Sequence, residues 1–342
     1  MRGGGPGRRS PLRCRGAARH RRPAVGGGAG HGPRRLKLNR AERPPAATVR
    51  GVFVDLARKH GLHVRVLEVD ETGWDFQVGH AVDADGARWV LRMPRRPEVS
   101  ELIAGERRLL EFLRPRLDVT LPQWEVCTSE LVAYRRLPGS PLGPEDPVTL
   151  DYQWRMDVPE ELFGVLGAVI AELHRASAAE VAELGVPVSE RTALREEADD
   201  HLRRAVSELD VPEPRARRWR EWIDDDRYWI GESAGLRLVH ADLHPGHLLV
   251  DDSGTLTGIL DWTDAAVDDP ALDFIAPRRA FGEAGLDRLL AAYVDAGGRP
   301  REHFRAHIEQ LSAFLFSVSL GIHGIDTGND GYVKIAQERL QA

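Results

Sequence analysis

The segment from Leu238 to Phe274, LVHADLHPGHLLVDDSGTLTGILDWTDAAVDDPALDF, holds three histidines and eight aspartates. Acids at that density cannot be folded away unpaired, because a buried charge needs a cation, hydrogen bonds or a metal beside it. The same segment reads as a small hairpin: HLLV, a DDSG turn and TLTGILDW, apolar in the arms and rich in turn formers between them. Pairing the arms about that turn returns Asp261 to the end at which His247 starts, five residues after Asp242. Two side chains able to hold a metal and a third carboxylate therefore converge on one end of a hairpin.

The flanking chain differs on the two sides. Upstream, AATVRGVFVDLARKHGL predicts a short helix with Val49, Phe53 and Leu56 on one side and Gly61 as its stop. HVRVLEV, DFQVGHAV and ARWVLRM then read as strands of an antiparallel meander, joined by the turn-like DETGW and DADG. PEVSELIAGERRLLEFLRPRL is helical, with Ile103, Leu110, Leu113 and Leu117 on one stripe and Glu106 as the lone acid on that stripe. WEVCTSELVAYRRL supplies one or two further strands before the Gly/Pro-rich PGSPLGPEDP. Downstream the pattern is helical at PEELFGVLGAVIAELHRA and at about 190–209, 213–230, 284–296 and 302–323. A strand-rich first lobe over 45–135 and a mainly helical second lobe over 136–342, with one embedded hairpin, is α+β architecture.

The net charge of −6 conceals an asymmetry. Residues 1–44 hold thirteen of the Lys and Arg residues and one acid, Glu42, which leaves −18 on the remainder. That Gly/Arg/Pro-rich extension has no hydrophobic periodicity and is expected to be disordered. A nucleic-acid arm is one reading of it; the other, favoured by 44 Arg against 3 Lys, is an upstream extension of a GC-rich coding sequence. Deleting residues 1–40 is expected to change neither activity nor melting temperature, and an assay and a thermal melt on the shortened chain would check this. The acidic body argues against nucleic acid as a partner and suits a cationic one. Cys14 and Cys127 are too few for a disulfide framework, no apolar run approaches the ~18 residues that span a bilayer, and no secretory signal opens the chain. A cytoplasmic monomer without membrane contact is the expectation.

Phosphoryl transfer needs a set of groups like that at the hairpin's end. One carboxylate orients the acceptor hydroxyl and takes its proton, while other ligands hold the Mg2+ that bridges the nucleotide phosphates. The pattern His240-x-Asp242-Leu-His-Pro-Gly-His247, then Leu260-Asp261-Trp262 and DDPALDF ending at Phe274, resembles the protein-kinase-like antibiotic phosphotransferases over roughly residues 46–340. The resemblance implies a bilobal fold, Asp242 as catalytic base, His247 and Asp261 as Mg2+ ligands, and His240 and Asp273 as supports of the catalytic loop. Most kinase-like enzymes place asparagine where His247 stands, and imidazole is a softer ligand than Mg2+ prefers. The macrolide 2′-phosphotransferases, however, are similar at this point, with DLHPGH followed by IDWTDA.

The first lobe carries the same likeness. Kinase-like enzymes pair a strand lysine with a helix glutamate, yet Lys37, Lys59 and Lys334 lie on no suitable strand. In RWVLRMPRR the corresponding position is Arg92, similar to the WVLR of macrolide phosphotransferases, and Glu106 is its expected partner; Arg88, Arg95 and Arg96 are nearby candidates. A guanidinium presents a planar fork where an ammonium is compact. DETGWDFQVG would cover the phosphates with its single glycine, Gly73. The resemblance further implies hinge contacts from the backbone of Leu131 and Ala133 to the purine, and GTP in preference to ATP as donor. Asp251 and Asp252 suit a turn, Asp264, Asp268 and Asp269 are placed to face the acceptor, and His174 supports the loop. No serine stands in a nucleophile elbow, which excludes a hydrolase triad.

The function implied is transfer of a γ-phosphate to the 2′-hydroxyl of a macrolide amino sugar. Phe314, Leu315, Phe316 and Val318 could wall the acceptor pocket, although helix packing explains them equally. Two alternatives stay open: a phosphotransferase for an aminoglycoside or other small hydroxylated metabolite, and a catalytically dead kinase fold that only binds.

Overall fold

In the computed structural model the described residues are 46–71, 73, 75–229 and 235–341; the basic extension over 1–44 lies outside them. Helix α1 (Ala46–Lys59) ends at Gly61, whose φ of +78° suits glycine. It lies on one face of an antiparallel sheet made of β1 (Val64–Asp70), β2 (Phe76–Asp83), β3 (Arg88–Pro94), β4 (Trp124–Cys127) and β5 (Val132–Arg135), in the order β1-β2-β3-β5-β4. Helix α2 (Pro97–Leu113) follows β3.

The period of two along β3 decides what faces each helix. Trp89 and Leu91 pack with Val49, Phe53 and Ala57 of α1. Val90 joins the other core, with Ile103, Leu109 and Leu110 of α2. Arg92 has the parity of Val90, so it points towards α2 and into the cleft between the lobes.

The remainder is mainly helical: β6 (Ser140–Pro141), α3 (Glu160–Arg175), α4 (Ala178–Glu183), α5 (Ala193–Glu208), α6 (Glu213–Asp224), β7 (Arg237–Val239), β8 (Leu248–Val250), β9 (Leu256–Ile259), β10 (Ala266–Asp268), α7 (Leu272–Asp295), α8 (Phe304–Phe314), a π-helical turn (Leu315–Ser319), α9 (Leu320–Thr327) and α10 (Asp330–Gln341). The expected hairpin is β8–β9, extended by β6 on its outer edge, while β7 and β10 form a separate antiparallel ribbon. The ribbon and the hairpin hold the two ends of the loop from His240 to His247.

Five features depart from the sequence reading. The helix expected at 284–296 begins at Leu272, because its first turns are buried all round and interrupted by Pro277 and by Gly282 at φ 70°, which removes the amphipathic period. The helix expected over 213–230 stops at Asp224, and α4 and α10 were not foreseen. Finally, Phe304–Thr327 is long and apolar enough to cross a membrane, contrary to the expectation that no run approached that length. Phe304, Ile308, Leu311, Phe314, Val318 and Ile322 of this run are buried in the main core.

Candidate active site

The loop from His240 to His247 is anchored from behind. The backbone N–H groups of His240 and Ala241 both donate to Asp273 Oδ1 at 2.8 Å. Asp273 Oδ2 lies 3.1 Å from His174 Nε2, and the other nitrogen of that ring lies 3.0 Å from the Tyr293 hydroxyl. Ala241 has a φ of +66°, which costs a residue with a Cβ about 1–2 kcal/mol. Two hydrogen bonds into one buried carboxylate hold it there. His240 donates from Nε2 to the Leu260 carbonyl at 3.0 Å and accepts at Nδ1 from the Asp242 N–H at 3.2 Å. Burial, then His247, lowers this ring to about 4, so it is a neutral strut between the loop and the hairpin.

Asp242, His247 and Asp261 are brought together. The Leu260 N–H donates to the His247 carbonyl at 2.9 Å, the pairing expected of the hairpin's open end. His247 donates from Nδ1 to the Asp242 carbonyl at 2.9 Å, with the same nitrogen 3.3 Å from Asp242 Oδ2. Its Nε2 faces Asp261 Oδ2 at 3.8 Å. Two ligands each about 2.1 Å from one Mg2+ stand within about 4 Å of each other, so this pair fits a shared ion. Burial opposes charge on both groups and is outweighed: Asp242 and Asp261 raise His247, while Arg92 and His247 hold Asp261 well below the usual carboxylate range.

His244 was not singled out by sequence. Asp242, His244 and His247 offer ligand atoms within 4.8 Å of one another. However, His244 Nδ1 accepts the Gly246 N–H at 3.1 Å, which puts the proton on Nε2, 3.9 Å from Asp242 Oδ2. Burial and His247 lower this ring to about 2, so it stays neutral and directs an N–H towards Asp242. That tautomer suits orientation of the base better than metal ligation.

Across the cleft, Arg92 Nη1 donates to Glu106 Oε1 at 2.8 Å, and both side chains are buried. Its Nη2 donates to Asp261 Oδ1 at 3.1 Å and to Thr263 Oγ1 at 2.8 Å, and the guanidinium lies 4.0 Å over the Phe76 ring. The Thr263 hydroxyl reaches Glu106 Oε2 at 3.3 Å and Asp261 Oδ1 at 2.9 Å. Burial pushes the Glu106 carboxyl up and Arg92 opposes that push. One fork thus ties strand β3, helix α2 and Asp261 together. Thr263 completes the network; WTDA drew attention as a string, but nothing local marks its threonine. Arg95 donates to the carbonyls of Glu71 and Gly73 at 2.7 and 2.8 Å, and Arg96 to Asp75 at 2.5 Å, so these two brace the loop before β2. Arg88 is exposed at the start of β3.

The backbone groups of Leu131 and Ala133, expected at a hinge to the purine, have partners within the protein. Leu131 is closed on Thr128, its N–H donating to Oγ1 at 3.0 Å and its carbonyl accepting the Thr128 N–H at 2.9 Å. Ala133 lies in β5, which is flanked on both sides by β3 and β4, and its backbone is committed to the sheet.

The remaining aspartates separate by burial. Asp251 Oδ1 accepts the N–H groups of Ser253 and Thr255 at 2.9 and 3.0 Å in the hairpin turn, and Asp252 pairs with Arg155 at 2.5 Å. Asp268 and Asp269 are turned inwards, contrary to the expectation that they face the acceptor. Asp268 is bonded to Ser189, and Asp269 to Arg301 at 2.9 Å. Asp264 is exposed, and desolvation, then the charges of Asp242, Asp261 and Asp75, push its carboxyl up to about 7.

Beside the catalytic loop opens a cavity of about 580 Å³ lined by Tyr152, Trp154, Arg279 and Phe316 among others. Tyr152 stacks on His244 with ring centroids 6.1 Å apart, linking the cavity to Asp242. Of the four apolar residues considered for a wall, Phe316 lines the cavity, whereas Phe314 and Val318 are fully buried in the core.

The phosphotransferase enzyme family (APH) matches residues 66–308. The chain is 38% identical over 293 residues to the uncharacterized protein YcbJ of Bacillus subtilis (strain 168), covering 84% of this chain and 94% of that protein. It is similar to a solved macrolide 2′-phosphotransferase type I at 34% identity, with a TM-score of 0.73 and coverage of 88% of this chain and 98% of that one. The apoenzyme of macrolide 2′-phosphotransferase MphH from Brachybacterium faecium matches at 36% identity and a TM-score of 0.71, covering 86% of this chain and 98% of that chain. A GDP complex of wild-type aminoglycoside 2′-phosphotransferase-IIIa matches at 22% identity and a TM-score of 0.69, covering 85% and 97%, a likeness of fold.

Proposed function

The chain belongs to the APH phosphotransferase enzyme family, and from that premise we propose that it transfers the γ-phosphate of GTP, or of ATP, to the 2′-hydroxyl of the amino sugar of a macrolide. The observation that carries this reading is an aromatic-walled cavity linked through Tyr152 and His244 to the carboxylate of Asp242. An amino sugar sets its ammonium next to the reacting hydroxyl, where that carboxylate would neutralise it. The rest of a macrolide is large and apolar, which suits such a cavity. The macrolide 2′-phosphotransferases that this chain resembles support the same reading.

In this reading Asp242 takes the proton of the acceptor hydroxyl as its oxygen bonds to the γ-phosphorus. The bond from that phosphorus to the β–γ bridging oxygen breaks, and a nucleoside diphosphate leaves. His247 Nε2 and Asp261 would hold Mg2+, which supplies charge neutralisation at the nucleotide phosphates. Arg92, fixed through Nη1 by Glu106, presents Nη2 to the cleft, where donor phosphates would compete with Asp261 and Thr263 for it. The preference for GTP rests on likeness to the macrolide enzymes.

Purified chain given GTP or ATP, Mg2+ and erythromycin or kanamycin, followed by mass spectrometry, tests the proposal. A single phosphate on the erythromycin amino sugar is expected. Transfer to kanamycin alone would assign a different acceptor class, and nucleotide binding without transfer would make the chain a binding protein. His247→Ala should abolish activity and weaken the dependence on Mg2+; an unchanged metal titration would show that another group is the ligand.

A further inference from the structure

The cavity beside the catalytic loop carries a set of charges that phosphoryl transfer does not explain. Its lining includes four arginines, Arg215, Arg278, Arg279 and Arg339, and two acids, Asp151 and Glu309. Arg278 is matched by Glu309 at 2.6 Å, and Arg279 by Glu145 at 2.5 Å. Arg215 and Arg339 are not matched: among the described residues each donates only to a backbone carbonyl, Arg215 to that of Arg339 and Arg339 to that of Phe316, both at 2.8 Å. A guanidinium carries five N–H donors, accepts nothing and stays charged. Both groups therefore keep donors for a ligand. The Phe316 carbonyl belongs to the π-helical turn Leu315–Ser319, and such turns recur at functional sites. Arg279 bridges the walls, stacking on Tyr152 at 4.8 Å and on Phe316 at 4.6 Å.

From Asp242 a path of contacts thus leads through His244 to Tyr152 in the cavity wall, and the same wall carries Phe316 and the two guanidiniums without a carboxylate partner. We infer that Arg215 and Arg339 are specificity-determining residues: they outweigh the nearby Asp151 and make this wall a donor-rich surface that selects acceptors presenting carbonyl, hydroxyl or carboxylate oxygens there and turns away polycations. The inference rests on this cavity being the acceptor site. A macrolide carries its amine beside the reacting hydroxyl and an oxygen-rich neutral ring beyond it. An aminoglycoside carries ammonium groups along its whole length, and would set some of them against Arg215 and Arg339 in a partly desolvated space.

Three forms of the full chain decide the matter: unmodified, Arg215→Gln with Arg339→Gln, and Arg215→Glu with Arg339→Glu. In the glutamine pair the KM for erythromycin rises about tenfold, the loss expected for a hydrogen bond from a charged donor, while kcat and the nucleotide KM hold. In the glutamate pair kanamycin, titrated calorimetrically without nucleotide, binds about tenfold tighter than to the unmodified chain. An unchanged erythromycin KM in a folded glutamine pair overturns the inference, as does a fall in kcat and melting temperature that accounts for the whole effect. An unchanged kanamycin affinity on charge reversal also overturns it. If the double reversal fails to fold, Arg215→Glu alone carries the same titration. Should the unmodified chain phosphorylate no macrolide, the proposed function fails, and the kanamycin shift still decides this inference.

Discussion

Asp242→Asn is expected to lower turnover by about 10² to 10⁴ while leaving the melting temperature and the nucleotide affinity unchanged. The contacts that position the loop at this residue are made by its backbone: the N–H donates to His240 Nδ1 at 3.2 Å and the carbonyl accepts from His247 Nδ1 at 2.9 Å. An asparagine keeps both, and keeps the volume of the side chain. What it lacks is a lone pair basic enough to take a proton at neutral pH. The loss should therefore appear in the chemical step, as a fall in single-turnover rate with binding intact by calorimetry and folding intact by circular dichroism. Near-normal turnover would remove Asp242 from the role of base. The contrast with His247→Ala is diagnostic, since that change acts through the metal and should move the Mg2+ titration, which Asp242→Asn should leave in place.

What was legible in the sequence was whatever a local period or a turn encodes. The hairpin's apolar arms and its DDSG turn returned Asp261 to His247, and steps of three and four along α2 placed Glu106 on the face that β3 offers Arg92. Contacts set by tertiary packing were not legible. Asp268 and Asp269 stand in the same acidic run as Asp264, and only the position of Ser189, Arg301 and His307, distant in the chain, turns those two inwards. Leu131 and Ala133 fit a hinge by resemblance, but the turn to Thr128 engages the first, and the strand order, with β5 between β3 and β4, places the second inside the sheet. The cavity unites residues from the segment before α3 with others from α6, α7, α8, α10 and the π-helical turn, a convergence that no window of sequence displays.

Glu106→Ala should cost about 3 kcal/mol of stability, at the low end of the range for breaking a buried ion pair. Among the described residues the carboxylate is the hydrogen-bond partner of Arg92 Nη1, at 2.8 Å, and its removal leaves a buried cation short of a partner. Asp261 still offers an oxygen at 3.1 Å to Nη2 and limits the loss. The same residue then acquires a second effect. With Glu106 gone, Arg92 is free to swing wholly onto Asp261, so the position of the metal-side carboxylate changes and activity should fall beyond what unfolding explains. A paired replacement separates the two effects. Arg92→Met with Glu106→Leu removes both charges and refills the space, which for buried pairs often restores stability. Chemical denaturation of that double variant is expected to recover most of the 3 kcal/mol, while phosphoryl transfer stays at or below the Glu106→Ala level because the guanidinium that would meet the donor phosphates is gone. Recovery of activity along with stability would show that the pair serves the fold alone, and would leave the contact with the nucleotide to other residues.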